Sequence, residues 1–168
     1  TSSAVTVVSV PDQPGAITGE AAVCAGDSES YSVAAVAGAT TYTWSIPAGA
    51  AILSGQGTAG ITVLWGSTSG NVSVTASNGC GTSAASAESV TVTSVPDAPG
   101  AISGNASVCE AATENYSIDA VSGATGYTWT VPAGAIILSG QGTTDISVEF
   151  GTQSGTIAVF ASNQCGDG

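Results

Sequence analysis

The sequence predicts an all-β chain folded as two tandem two-sheet sandwiches. Three observations carry that prediction. The chain is duplicated at an offset of 85 residues. Apolar and hydroxyl-bearing residues alternate with the period of a strand. The composition is rich in Gly (23 of 168 residues), Ser, Thr, Ala and Val, and poor in the Leu, Glu, Lys and Arg that build helices.

The duplication sets the frame. Pro11-Asp12-Gln13-Pro14-Gly15-Ala16-Ile17 returns as Pro96-Asp97-Ala98-Pro99-Gly100-Ala101-Ile102, and Ile52 to Thr58 recurs unchanged at Ile137 to Thr143. More than half of positions 11–80 are identical to their counterparts, without a gap. The organisation read from this is a first repeat at 11–95 and a second at 96–168. Val5-Thr6-Val7-Val8-Ser9-Val10 matches Val90-Thr91-Val92-Thr93-Ser94-Val95, so residues 1–10 read as the closing strand of a preceding repeat. The second repeat has no closing strand of its own within these residues. Two readings stay open: a stretch of a longer array, or a subunit that polymerises by donating residues 1–10 to the open edge of the next copy.

Within a repeat, the strands follow in order. Apolar residues mark short strands around Ile17 and around Tyr31 and Val33. Tyr42, Trp44 and Ile46 alternate with hydroxyls, which places them on one face of a third strand. Ile52 and Leu53 mark a fourth. Ile61, Val63 and Trp65 alternate next, then Val72, Val74 and Ala76, and Val90 with Val92 closes the repeat. Ser54-Gly55-Gln56-Gly57 and Ser69-Gly70-Asn71 are tight-turn signals between them. About seven strands in one repeat, with turn signals near every ten residues, read as a two-sheet sandwich.

Four cysteines allow three pairings. Repeat symmetry favours Cys24–Cys80 and Cys109–Cys165, each closing a loop that is worth roughly 4 kcal/mol on the chain-entropy model. Free buried thiols are the alternative, and metal ligation lacks both CxxC spacing and histidine. Disulfides imply an oxidising compartment, hence a secreted or cell-surface, extracellular location.

The charge balance excludes whole classes of function. All 12 charged residues are acidic; Lys, Arg and His are absent. Nucleophilic triads, Schiff-base lysines and phosphate-cradling lysines have no residues to work with. Nucleic acid and anionic lipid lose their electrostatic handle. No run of 18 apolar residues supports membrane insertion. Two carboxylates alone could serve a glycosidase, but the acids are sparse, and only Asp12/Asp97 and Glu29/Glu114 repeat. The reading is therefore not an enzyme.

Each repeat carries Val-Cys, Tyr-Ser, Gly-Ala-Thr-x-Tyr-Thr-Trp, Pro-x-Gly-Ala, Ser-Gly-Gln-Gly-Thr and Ala-Ser-Asn-x-Cys-Gly. Taken together these resemble the PKD-like, immunoglobulin-like tandem repeats of secreted and surface proteins of Bacteroidetes-type bacteria. The resemblance covers essentially the whole chain, although the Trp-Asp-Phe-Gly-Asp-Gly signature of ordinary PKD domains is absent. It implies two tandem immunoglobulin-like (PKD-like) β-sandwich domains, each here expected to hold one inter-sheet disulfide. It also implies display outside the cell, in adhesin-like arrays or beside catalytic domains, after export by a type IX pathway.

Candidate sites follow from these expectations. Trp44 and Trp129 read as core residues packed on the disulfide, with a sugar-stacking platform as the alternative. Trp65 becomes Phe150, as suits a core position needing only an aromatic ring. Val5 and Val7 on the closing strand, with Leu64 and Phe160 on outward faces, are candidate contacts to a neighbouring repeat or subunit. No cofactor is expected; the one cation suggested by Asp12 and Asp97 is calcium. Asn71, Asn105 and Asn115 match the glycosylation pattern, which chance explains in a Ser-rich chain. The partners expected are neighbouring repeats or identical subunits in an array or filament. A carbohydrate- or ice-binding module that contacts surface glycans is the alternative.

Overall fold

A computed structural model describes residues 2–168; Thr1 of the expected closing segment lies outside them. Every regular element among the described residues is a β-strand. The chain forms two compact units that divide between Thr93 and Ser94.

The first unit has eight strands: β1 (Ala22–Cys24), β2 (Ser28–Ser32), β3 (Thr41–Ser45), β4 (Ala51–Ser54), β5 (Gly60–Leu64), β6 (Gly70–Asn78), β7 (Gly81–Thr82) and β8 (Ser86–Thr93). One sheet runs β1-β8-β6-β3, with β7 on the end of β6; the other runs β2-β5-β4. All pairings are antiparallel except that of β1 with β8, which is parallel. The alternation in the sequence explains which faces meet. Tyr42 and Trp44 on β3, Val72, Val74 and Ala76 on β6, and Val90 on β8 turn inward against Tyr31, Ile61, Val63 and Trp65. Their hydroxyl-bearing neighbours turn outward, as expected of sheets with one solvated face.

The second unit repeats the plan with β9 (Thr113–Ser117), β10 (Gly126–Thr130), β11 (Ile136–Ser139), β12 (Asp145–Glu149), β13 (Ala158–Asn163) and β14 (Gly166–Asp167). Its sheets run β10-β13-β14 and β11-β12-β9. Tyr116, Trp129, Ile146, Val148 and Phe150 build its core. Counterparts of β1 and β8 are missing among its strands.

Of the two tight turns expected from glycine, the one at Ser54 to Gly57 holds a special conformation, whereas Gly70 and Asn71 open strand β6 because they pair with Val90 and Ser89. Gly55 and Gly57 have φ of 87° and 96°, in the left-handed region, and a Cβ on Gly55 would collide with the Gly60 carbonyl. Between them Gln56 points back at β3. Its side-chain oxygen accepts from the Trp44 N–H and its amide donates to the Trp44 carbonyl, both at 2.9 Å. Gln141 does the same for Trp129 at 3.0 Å.

The disulfides do not follow the expected pattern. Cys24 and Cys165 are the disulfide-bonded cysteines, while Cys80 and Cys109 carry free, exposed thiols. The pairing Cys24–Cys80 and Cys109–Cys165 is thus overturned, and with it the inter-sheet bridge inside each sandwich. Topology gives the reason. Cys24 ends β1 opposite Thr93, whereas Cys80 follows the far end of β6, whose start, Gly70, lies opposite Val90. The two cysteines therefore sit at opposite poles of one sheet, on the order of 30 Å apart along the strands. A disulfide needs Cα atoms within about 7 Å. Trp44 and Trp129 are buried as expected, but their indole N–H groups donate to the carbonyls of Thr58 and Thr143, and no intra-sandwich bridge lies beneath them.

Candidate assembly site

The two poles of the first unit are built differently. At the leading pole, the chain arrives through residues 8–10 and is fastened to the β6–β7 turn. Asn78 Nδ2 donates to the Ser9 carbonyl at 2.7 Å, and Cys80 Sγ lies 3.2 Å from the Val8 carbonyl. Asn78 also donates to the Gly38 carbonyl and accepts from the Cys80 N–H, which fixes the turn. At Gly81 an added Cβ would lie only 3.0 Å from Val10, so glycine keeps this seat open. The second unit repeats the fastening, with Asn163 donating to the Ser94 carbonyl at 2.8 Å. At the trailing pole, β1 lies along the end of β8 and sets Cys24 opposite Thr93.

Residues 2–10 form no strand among themselves. Val5 and Val7 are 85% and 91% exposed. Their counterparts are Val90, which is 1% exposed, and Val92, which packs against the core. The same sequence is therefore core where it has neighbours and bare where it has none.

The second unit carries a groove at the position that β8 fills in the first. This groove of about 640 Å³ opens between residues 105–110 and 150–157, lined by Ser107, Val108, Tyr116, Phe150, Gly155 and Ile157 among others. Their counterparts in the first unit include Ala22 and Val23, which flank β8 on one side, and Gly70 and Val72, which flank it on the other. The backbone records the difference. Residues 107–109 form no strand where β1 does, and β13 begins at Ala158 where β6 begins at Gly70.

The remaining candidate residues fall on the surface or in the core. Leu64 and Phe160 are 38% and 48% exposed and face outward from β5 and β13. Trp65 and Phe150 are buried, each edge-on to a tyrosine, Tyr31 at 6.0 Å and Tyr116 at 5.9 Å. Burial pushes both phenols above their ordinary pKa; the carboxylates of Glu29, Glu20 and Glu88 add to this at Tyr31, and Glu114 at Tyr116. Asp12 and Asp97 are exposed, and the described residues hold no group of three or more potential metal-ligating side chains. All three tryptophans are buried, so no row of exposed indoles crosses the repeats. The residues that sequence reasoning missed are Gln56 and Gln141, Asn78 and Asn163, and strand β1. The exact recurrence of Ser-Gly-Gln-Gly-Thr and Ala-Ser-Asn-x-Cys-Gly was the available signal.

Comparison with known proteins accords with this architecture. The PKD-like domain matches residues 10–92 and again 95–168. Among curated proteins none matches. Among solved structures, the I-band fragment I67–I69 from titin is similar at a TM-score of 0.53 and 16% identity, over 94% of this chain and 60% of that one. Titin domains A168–A170 are similar at 0.50 and 16% identity, over 95% of this chain and 57% of that one. FdeC, an Escherichia coli adhesin, gives 0.49 and 16% identity, over 90% of this chain and 60% of that one. This chain thus spans about 60% of the fragments it matches. At these identities the likeness to titin shows a shared tandem immunoglobulin-like fold.

Proposed function

The chain belongs to the PKD-like domain family, and from that footing we propose that it is a structural segment of an extracellular bacterial repeat array or filament. Its repeats are joined by sharing a closing strand. One observation carries this reading. The groove of the second repeat lacks the strand that β8 supplies in the first, and residues 2–10 hold that strand's sequence with Val5 and Val7 exposed. In the donated register, set by the β8 pairings, Val5 lies opposite Gly155, and Thr6 to Val8 lie opposite residues 107–109. Burying two valines contributes about 2 kcal/mol each, and main-chain pairing adds direction to that gain. The occupant is a second copy of this chain, or the following repeat of a longer one. Burial of all three tryptophans supports a structural role over sugar binding. An adhesin-like stalk or fibre outside the cell also suits a chain without cationic residues, which offers nothing to trypsin-like proteases.

The test is assembly of the 168-residue chain, followed by sedimentation and negative-stain microscopy. Head-to-tail fibres are expected, abolished by Val5→Glu with Val7→Glu and capped by a peptide of residues 2–10. The same peptide is expected to protect the amides of 155–159 from hydrogen exchange. A chain that stays monomeric when concentrated, and whose groove ignores the peptide, would overturn strand sharing.

A further inference from the structure

We propose that Cys109 of one copy of this chain bonds Cys80 of the next, as a covalent staple across the junction at which the closing strand is shared. Both are exposed, free thiols. The proposal rests on the strand-sharing reading and adds a covalent partner to it.

Three observations lead here. Cys80, the second cysteine of its repeat, and Cys109, the first of its repeat, carry free, exposed thiols. Within the first unit, Cys24 lies opposite Thr93 on the closing strand. Also within the first unit, Cys80 lies 3.2 Å from the carbonyl of Val8, and Val8 is the counterpart of Thr93 in the preceding closing strand. A closing strand therefore meets two cysteines at one residue. The first cysteine of its own repeat flanks it, and the second cysteine of the following repeat sits on its carbonyl.

Translated to a junction between copies, the register sets Cys109 of one copy opposite Val8 of the next. That copy's own Cys80 already touches the same Val8. Each thiol is exposed, so neither is sealed from a partner. The bond forms by exchange with a small-molecule disulfide such as oxidised glutathione. One thiolate attacks it to give a mixed disulfide and one released thiol. The second thiolate then displaces the other half, so two protons and two electrons leave the pair and the small disulfide is reduced to two thiols.

The experiment uses the full chain, assembled and then exposed to a glutathione redox buffer. Bands at multiples of the monomer mass on non-reducing gels are expected, and they collapse on reduction. Because trypsin has no site, Glu-C and chymotrypsin release the linked peptides for mass spectrometry. Cys80–Cys109 linkage is expected far above the half that random pairing yields, and it should fall to that half in Val5→Glu with Val7→Glu. Random pairing in the wild-type chain would overturn the proposal, as would thiols that stay reduced. A Cys80→Ser with Cys109→Ser variant separates the two ideas. If it still assembles while the wild type links at random, strand sharing stands and the staple falls. If it does not assemble and links do not depend on Val5 and Val7, strand sharing falls.

Discussion

The two repeats share most of their sequence but differ in how completely they are built. In the first, Val72, Val74 and Val90 are sealed in the core; in the second, Ile157 and Val159, the counterparts of Val72 and Val74, are half-buried. The chemistry of the flanking positions is nearly unchanged, since Val23 becomes Val108 and Val72 becomes Ile157. The difference is topological. In the first repeat β8 completes the core, and β1 takes its strand form by pairing along it.

The comparison breaks most sharply at that strand. Val90→Asp places an unpaired charge in the closed core and is expected to cost more than ~4 kcal/mol, read as loss of the first unit's thermal transition. Val5→Asp makes the same change at the bare counterpart and is expected to move the stability of the unassembled chain by less than about 0.5 kcal/mol. Equal effects would show that residues 2–10 already serve as core.

A smaller effect tests what the repeats hold in common. Gln56→Ala and Gln141→Ala each remove two hydrogen bonds to the backbone of a tryptophan. Each is expected to cost about 2 kcal/mol in chemical denaturation, alike in both units. A large loss in one repeat alone would mean that the turn is held by something else there.

The smallest effect sits at one substituted turn. Gly26 has φ of 91°, and its counterpart Ala111 keeps the left-handed conformation at 59°. The strain of a side chain there is about 1–2 kcal/mol, partly offset by the freedom that glycine loses on folding. Ala111→Gly is expected to stabilise the second unit by about 0.5 kcal/mol, and Gly26→Ala to weaken the first by a similar amount, both read as shifts in midpoint.

Much of this fold was legible from alternation. Tyr42 with Trp44, Ile61 with Val63, and Val72 with Val74 and Ala76 announce their faces because a half-buried strand has period two. The exchange of Trp65 for Phe150 correctly marked a core aromatic. Strand β1 escaped notice because Ala22–Cys24 is only three residues long and owes its form to parallel pairing with β8, nearly 70 residues away. The disulfides were misread for a related reason. Symmetry between repeats does not say where along the strands each cysteine falls, and only strand order shows that Cys24 and Cys80 lie at opposite ends of one sheet. The exposed Leu64 and Phe160 were placed correctly on outward faces, but alternation says nothing about what meets them.

The glutamine turn has a consequence for the dimensionality of any assembly. On β3, the Tyr42 N–H bonds the Gly57 carbonyl, while the Trp44 N–H and carbonyl are taken by Gln56. That flank of the larger sheet therefore offers a passing chain no unused ladder. On the other sheet Thr18 bridges Ser32 beside β2, and β4 is four residues long with a bulge between Ile52 and Ser54. Such flanks discourage side-by-side zippering. Under the strand-sharing proposal, growth through the groove adds length without width, and threads that elongate in this way should stay unbundled at concentrations where ordinary β-rich fibres mat together.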